Sequence, residues 1–142
     1  MKLLSRLVFV AAVLFTLTSC TDTDIASKVT GSYTCTSYAY VGDEAAEIKT
    51  SNETVTINRV DDNTVNVTLK SHKWGTAEFT NVKLTDYSYS ANLSGEGSIK
   101  LPNQYYSNTA DLSGTVTYKS HSIAVTTRVK DYSTRLIITF TK

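Results

Sequence analysis

From Val29 onward, apolar residues fall on alternate positions, and no run of useful length repeats at helical spacing. This is the pattern of strands that turn one face to a core and the other to water. Register then assigns the pairing, because a one-residue slip sends every side chain of a strand to the wrong face. Val55 and Ile57 alternate with Thr54, Thr56 and Asn58, and the pattern resumes after Asp61-Asp62-Asn63 as Val65, Val67 and Leu69. A three-residue loop at 61–63 sets Ile57 opposite Val67 and Val55 opposite Leu69, all four on one face. Asn63 is the residue expected in the left-handed position of such a loop.

The last third continues the pattern. Leu112, Val116 and Tyr118 share a face, and a turn at 119–122 sets Tyr118 opposite Ile123 and Val116 opposite Val125. A second turn at 130–135 sets Val129 opposite Leu136, Thr127 opposite Ile138 and Val125 opposite Phe140. The middle gives a hairpin of 77–84 with 87–93 around Thr85-Asp86, which aligns Val82 with Tyr89 and Leu84 with Tyr87. Gly95, Gly97, Pro102 and Asn103 mark irregular chain after it. Asp43 to Lys49 is the one helix-prone stretch, too short to stand alone, and is expected to be a loop or a single turn. With a first strand at 31–40 the count comes to about eight. Eight antiparallel strands in sequence order close into an up-and-down barrel that leaves no edge exposed, and an open sandwich is the alternative. The expected fold is all-β.

Ahead of this domain the alternation gives way to a continuous apolar block, Leu7 to Leu17, preceded by Lys2 and Arg6. Its eleven residues fall well short of the ~20 that span a bilayer as a helix, and they have the layout of a signal peptide. The block ends in Leu17-Thr18-Ser19-Cys20, which resembles the bacterial lipobox, where the cysteine thiol receives diacylglycerol before cleavage on its N-terminal side. The expected organisation is a lipoprotein signal peptide at 1–19, a lipidated Cys20 and polar tether at 20–28, and one β domain at 29–142. Acyl chains contribute about 0.8 kcal/mol per buried methylene, enough in combination for a stable anchor. Thr21, not Asp, follows the cysteine, and Asp22 and Asp24 make the tether acidic. Both features resemble sorting to the outer membrane, with exposure at the cell surface as the further expectation.

Composition narrows the partners. Removing residues 1–19 takes away Lys2 and Arg6, so the 14 basic residues of the chain become 12 against 13 acidic ones, a formal charge near −1. No basic tract or stripe points to nucleic acid. Once Cys20 is consumed, Cys35 stands alone, so no internal disulfide is available and the core must supply the stability. Cys35 lies in an alternating run and reads as a small buried hydrophobe.

Taken together, the lipobox, the short linker, Gly31-Ser32-Tyr33 opening the first strand, Thr54-Val55-Thr56-Ile57, and a last strand ending Ile138-Thr139-Phe140 resemble the calycin-like (lipocalin-like) β-barrel lipoproteins of Bacteroidetes. The resemblance implies an eight-stranded calycin-type barrel without an established catalytic role. True lipocalins open with Gly-X-Trp, whose indole packs at the closed end of the barrel beneath a basic residue from the last strand. Tyr33 takes the aromatic position here, and the resemblance makes Arg135 the candidate for its basic partner in barrel-end packing.

Catalytic and metal chemistry find little support. His72 and His121 sit in two Lys-Ser-His triplets without a third ligand at a telling spacing, and read as solvated turn residues. Asp61 and Asp62 lack the alternating oxygen ligands of a calcium loop and read as a hairpin tip. A glycosidase needs two carboxylates facing across a cleft, and the inferred inward faces carry none; no Gly-X-Ser-X-Gly elbow is present either. No enzyme, cofactor or metal is expected. The nine tyrosines are the enrichment, and Tyr105-Tyr106, beyond Pro102, are the candidate ligand contacts because loop aromatics make contact patches.

The leading expectation is a non-enzymatic cell-envelope lipoprotein that binds a small apolar molecule or glycan. The alternative is an interaction module, an accessory subunit of an outer-membrane complex with a fully packed barrel, and an envelope hydrolase or inhibitor stands third. Interior volume separates the first two. A barrel filled by Val55, Val67, Val116, Val125, Ile138 and Phe140 has no cavity, whereas an apolar void favours a ligand.

Overall fold

The structure, a computed structural model, describes residues 23–142 apart from positions 43 and 133, with the backbone alone at 44–48. A five-residue helix, α1 (Ile25–Val29), precedes eight strands. They are β1 (Gly31–Val41), β2 (Glu44–Asp61), β3 (Thr64–Ser71), β4 (Gly75–Asp86), β5 (Ser90–Lys100), β6 (Asn108–Thr117), β7 (Ser122–Val129) and β8 (Leu136–Thr141). All neighbours are antiparallel and follow sequence order, and β1 pairs with β8, Thr36 opposite Thr141 through Val41 opposite Leu136. The sheet is therefore a closed up-and-down barrel and not an open sandwich.

Up-and-down order sorts the connections to two ends. The helix end carries α1, the β2–β3, β4–β5 and β6–β7 turns and the C-terminus; the far end carries the other four connections. Alternate residues of every strand point inward. Val55, Val67, Val116, Val125, Ile138 and Phe140 are each 2% exposed or less, and Phe79, Leu69, Leu93, Leu112 and Leu136 are buried beside them. A void wide enough to admit water would leave accessible surface on the side chains lining it. These residues show almost none, so they fill the interior they surround.

Two of the expected registers hold in full. Ile57 pairs with Val67 and Val55 with Leu69, and Val129, Thr127 and Val125 pair with Leu136, Ile138 and Phe140. The turn of the first hairpin differs from expectation. A bulge between Arg59 and Asp61 lets Asp61 pair with Thr64, the Asp61 carboxylate accepts the Asn63 N–H at 2.9 Å, and Asn63 is not left-handed. Between β6 and β7, Val116 pairs with Ile123 and Gly114 with Val125, two residues away from the expected match. A two-residue shift keeps the same face inward, so burial could not have revealed it.

Three other expectations are overturned by contacts made elsewhere in the chain. Glu44 to Lys49 is strand and not turn, since pairing with β1 (Val41 opposite Glu44, Ala39 opposite Ile48) overrides a helix preference too short to nucleate. The middle hairpin pairs Leu84 with Leu93, not with Tyr87, and β5 runs unbroken through Gly95 and Gly97. Tyr87 and Tyr89 lie in its turn, where Ser88 takes a positive φ of 64° and Tyr87 N–H donates to Ser90 O at 2.8 Å. The segment expected as polar tether ends sooner, because residues 25–28 belong to α1.

Candidate functional site

The helix end is closed from residues upward. Asp24 caps α1 by accepting from Ser27 N–H at 3.1 Å and Ser27 Oγ at 2.6 Å. These bonds, with Arg59, hold the Asp24 carboxyl below the usual carboxylate range. Arg59 in turn bridges Asp24 and Asp62 at 3.1 and 2.5 Å. Ala26 and Val29 are buried against the barrel, and Tyr33 Oη donates to Val29 O at 2.7 Å. The ammonium of Lys142 lies 5.9 Å from the Tyr33 ring centre. Tyr33 is thus the buried aromatic of the closed end, and its nearby cation is Lys142. Arg135, the expected partner, immediately precedes the last strand rather than ending it, and so stands at the far end with its backbone oxygen accepting from Gly42 N–H at 2.7 Å. In an antiparallel pair, the residue near the start of β1 must face the end of β8.

The interior holds one carboxylate that the alternation should have revealed. Glu53 is in phase with Val55 and Ile57, is fully buried, and pairs with Cys35 across β1 and β2. Its two oxygens accept the His72 N–H at 2.9 and 3.3 Å, which ties the β3–β4 turn to β2. Among the described residues, the Nε1 of Trp74, Oδ1 of Asn108 and Oγ1 of Thr127 are buried without a partner. Burial pushes the Cys35 thiol up to about 11, with Lys142 pulling slightly the other way. A neutral, enclosed thiol is a weak nucleophile. His72 follows β3 and His121 precedes β7, so the two imidazoles stand at opposite ends of the barrel.

The far end offers the better-formed recess. A surface cleft of about 410 Å³ is lined by Asp111, Arg128, Val129, Lys130, Tyr132 and Arg135. Its cations come from neighbouring positions for a structural reason. Arg128 and Lys130 point outward from β7 and its end while Val129 packs inward, and Arg128 lies opposite Asp111 on β6 and Ile137 on β8. Lys130 is engaged by Glu96 at 2.7 Å and Asp111 at 2.9 Å, and these bonds raise its ammonium to about 12. Among the described residues, neither Arg128 nor Arg135 has an acidic partner. Lys130 N–H donates to Thr109 O at 2.8 Å and Thr109 N–H to Asp131 Oδ2 at 3.3 Å, fixing the floor of the recess to β6. Planar guanidinium groups in such a recess suit carboxylate or phosphate oxygens.

Tyr105 and Tyr106, in the β5–β6 connection, are exposed at this same end and take no part in the cleft lining. Sequence reasoning picks out Arg135 for another role and misses Arg128 and Lys130 altogether, since alternating polar residues on an outer face read as solvated surface. Cys20 and the signal segment lie outside the described residues.

A family model for the calycin-like β-barrel domain matches residues 29–141. Among solved structures, the chain is similar to a provisionally named outer membrane protein from Bacteroides fragilis NCTC 9343, at 24% identity and a TM-score of 0.65. That match covers 83% of this chain and 52% of the other, so the chain spans about half the length of that structure. No curated protein matches the chain.

Proposed function

This chain belongs to the calycin-like β-barrel domain family, and we propose that it is a non-enzymatic, lipid-anchored binding module of the cell envelope whose recognition site is the far rim and not the lumen. The observation that carries the proposal is the filled interior: the side chains that would have to line a lumenal pocket are already packed against one another. Among the described side chains, none leaves room for an apolar ligand inside. The rim cleft, with Arg128 and Arg135 beside Tyr132, fits an acidic saccharide, whose carboxylates meet guanidinium groups while its ring faces meet an aromatic. The lipobox at Cys20 and the likeness to Bacteroidetes lipoproteins support attachment to the outer membrane.

The test is titration of the isotope-labelled mature chain with uronate-bearing oligosaccharides, followed by NMR. Expected are salt-sensitive shifts confined to residues 128–135, weakened about tenfold or more by Arg128→Ala or Arg135→Ala. Shifts at Ile138 and Phe140 on adding a fatty acid, with none on adding the saccharide, would return the ligand to the lumen and sink the rim assignment. The filled barrel equally suits an accessory subunit with no small ligand. That reading predicts no saccharide response and a polypeptide that stays bound to the chain through purification from its own host.

A further inference from the structure

The helix end carries an exposed apolar group that the rim site does not use. The β4–β5 turn presents Tyr87 and Tyr89, 57% and 83% exposed, and Val60 stands exposed at the β2 bulge of the same end. The turn is not loose. Tyr118 N–H donates to Tyr89 O at 2.9 Å, the Tyr118 hydroxyl donates to Asp86, and Leu84 N–H donates to Asn63 O at 2.9 Å. The Lys28 ammonium of α1 lies 5.3 Å from the Tyr118 ring centre. A continuous chain of contacts therefore joins the tyrosine turn to the helix from which the N-terminal segment departs.

The length of that segment decides what covers this end. Cys20 and Asp24 are separated by four peptide steps, which reach at most about 14 Å when fully extended. A diacylglyceryl group on Cys20 would thus hold α1, and the turn beside it, close to the bilayer surface. Exposed tyrosines at the level of lipid headgroups are a recurrent interfacial anchor, since the ring enters the boundary while the hydroxyl stays hydrated. The charges at this end nearly balance: Arg59 is taken up by Asp24 and Asp62, and Lys28, Lys119 and Lys142 stand at the same end as Asp61 and Asp86. Such a surface suits a neutral interface and needs no anionic lipid.

From this we infer that the helix end is a membrane-docking face, with Tyr87 and Tyr89 seated in the headgroup region of the bilayer that holds the lipid anchor, so that the rim cleft points away from it. The inference rests on lipidation of Cys20, part of the reading above.

Tyr89→Trp tests it in the full processed lipoprotein, reconstituted in phosphatidylcholine vesicles containing a lipid brominated near the headgroup. The chain has one tryptophan, Trp74, in the β3–β4 turn of the far end, which serves as the internal reference. The expected result is that the emission added by Tyr89→Trp is blue-shifted and quenched by about twofold or more, while Trp74 in the unsubstituted chain is unaffected. Added emission that stays water-like and unquenched on vesicle-bound protein overturns the docking face and leaves the anchor intact. The intact mass of the N-terminal peptide reads the anchor separately. An unmodified Cys20, with protein that fails to float with vesicles, overturns both.

Discussion

Gly97→Ala probes the packing on which the filled barrel depends. A Cβ at position 97 would lie 2.1 Å from Glu78 O and 2.7 Å from the Phe79 ring, against ordinary contacts that begin at 3.4 Å. Backbone oxygen cannot rotate away, so the β4–β5 ladder must open by the difference, about 1.3 Å, at the pair Phe79 and Gly97. Overpacking of this kind costs about 1–3 kcal/mol, and a strained ladder bond adds about 1. Restricting the unfolded chain returns about 0.4–1 kcal/mol. The net expectation is a loss of about 2 kcal/mol. Gly95→Ala is the matched control, because its Cβ meets Val82 Cγ2 at 3.1 Å and Val82 Cα at 3.3 Å, which shifts of a few tenths of an ångström relieve. It should fall within about 1 kcal/mol of the parent, the usual range for a tolerated volume change. Urea unfolding of the mature chain measures both. With m of about 2 kcal/mol per molar, Gly97→Ala should lower the midpoint by roughly 1 M at unchanged m. Equal midpoints for the two variants would mean that β4 and β5 do not approach as described, and the solid interior would lose its support.

Two other outcomes follow from the interior. Burial raises the Cys35 thiol from 9.0 to about 11, so its contribution is complete below pH 9 and is lost as pH rises toward 11, roughly 2–3 kcal/mol in all. Burial also raises the Tyr33 phenol, so urea midpoints taken from pH 8 to 9.5 should fall in both chains but more steeply in the parent than in Cys35→Val; parallel slopes would show that the thiol is not enclosed. Glu53→Ala strips the His72 N–H of its acceptor and should cost about 2–4 kcal/mol, whereas Glu53→Gln keeps one acceptor oxygen and should cost about half as much. Equal losses by denaturant titration would show that the carboxylate does not hold the β3–β4 turn.

The legible parts of this fold are those where a polar residue on the wrong face would be costly. Val55 to Leu69 and Val125 to Phe140 alternate without interruption, and each allows one register of the right face near its turn. Where the face does not discriminate, neither does the sequence, and the two-residue shift between β6 and β7 is such a case. The β4–β5 hairpin misleads for the opposite reason. Tyr87 and Tyr89 alternate as strand residues do, yet water covers them, while Gly95 and Gly97 resemble breakers and lie in the strand. Their lack of side chains makes room for Val82 and Phe79 from β4, a cross-strand fact absent from any local window.

The site is hidden by the same logic. Arg128 and Lys130 are outward residues of an amphipathic strand, and only the closure of β8 beside β7 and the fold of the β7–β8 connection gather them around a recess with Arg135. Analogy with a last-strand cation assigns Arg135 to the helix end, but Arg135 precedes Leu136, which up-and-down topology sets opposite Val41 at the end of β1, and Lys142 is left beside Tyr33. A filled barrel then restricts what this fold can offer a partner. Among the described residues the interior is packed, and the proposed reading therefore places recognition at the ends. The helix end is committed to α1 and carries the emerging N-terminal segment, which leaves the far rim, with its guanidinium groups and exposed tyrosines, as the surface free to meet something else.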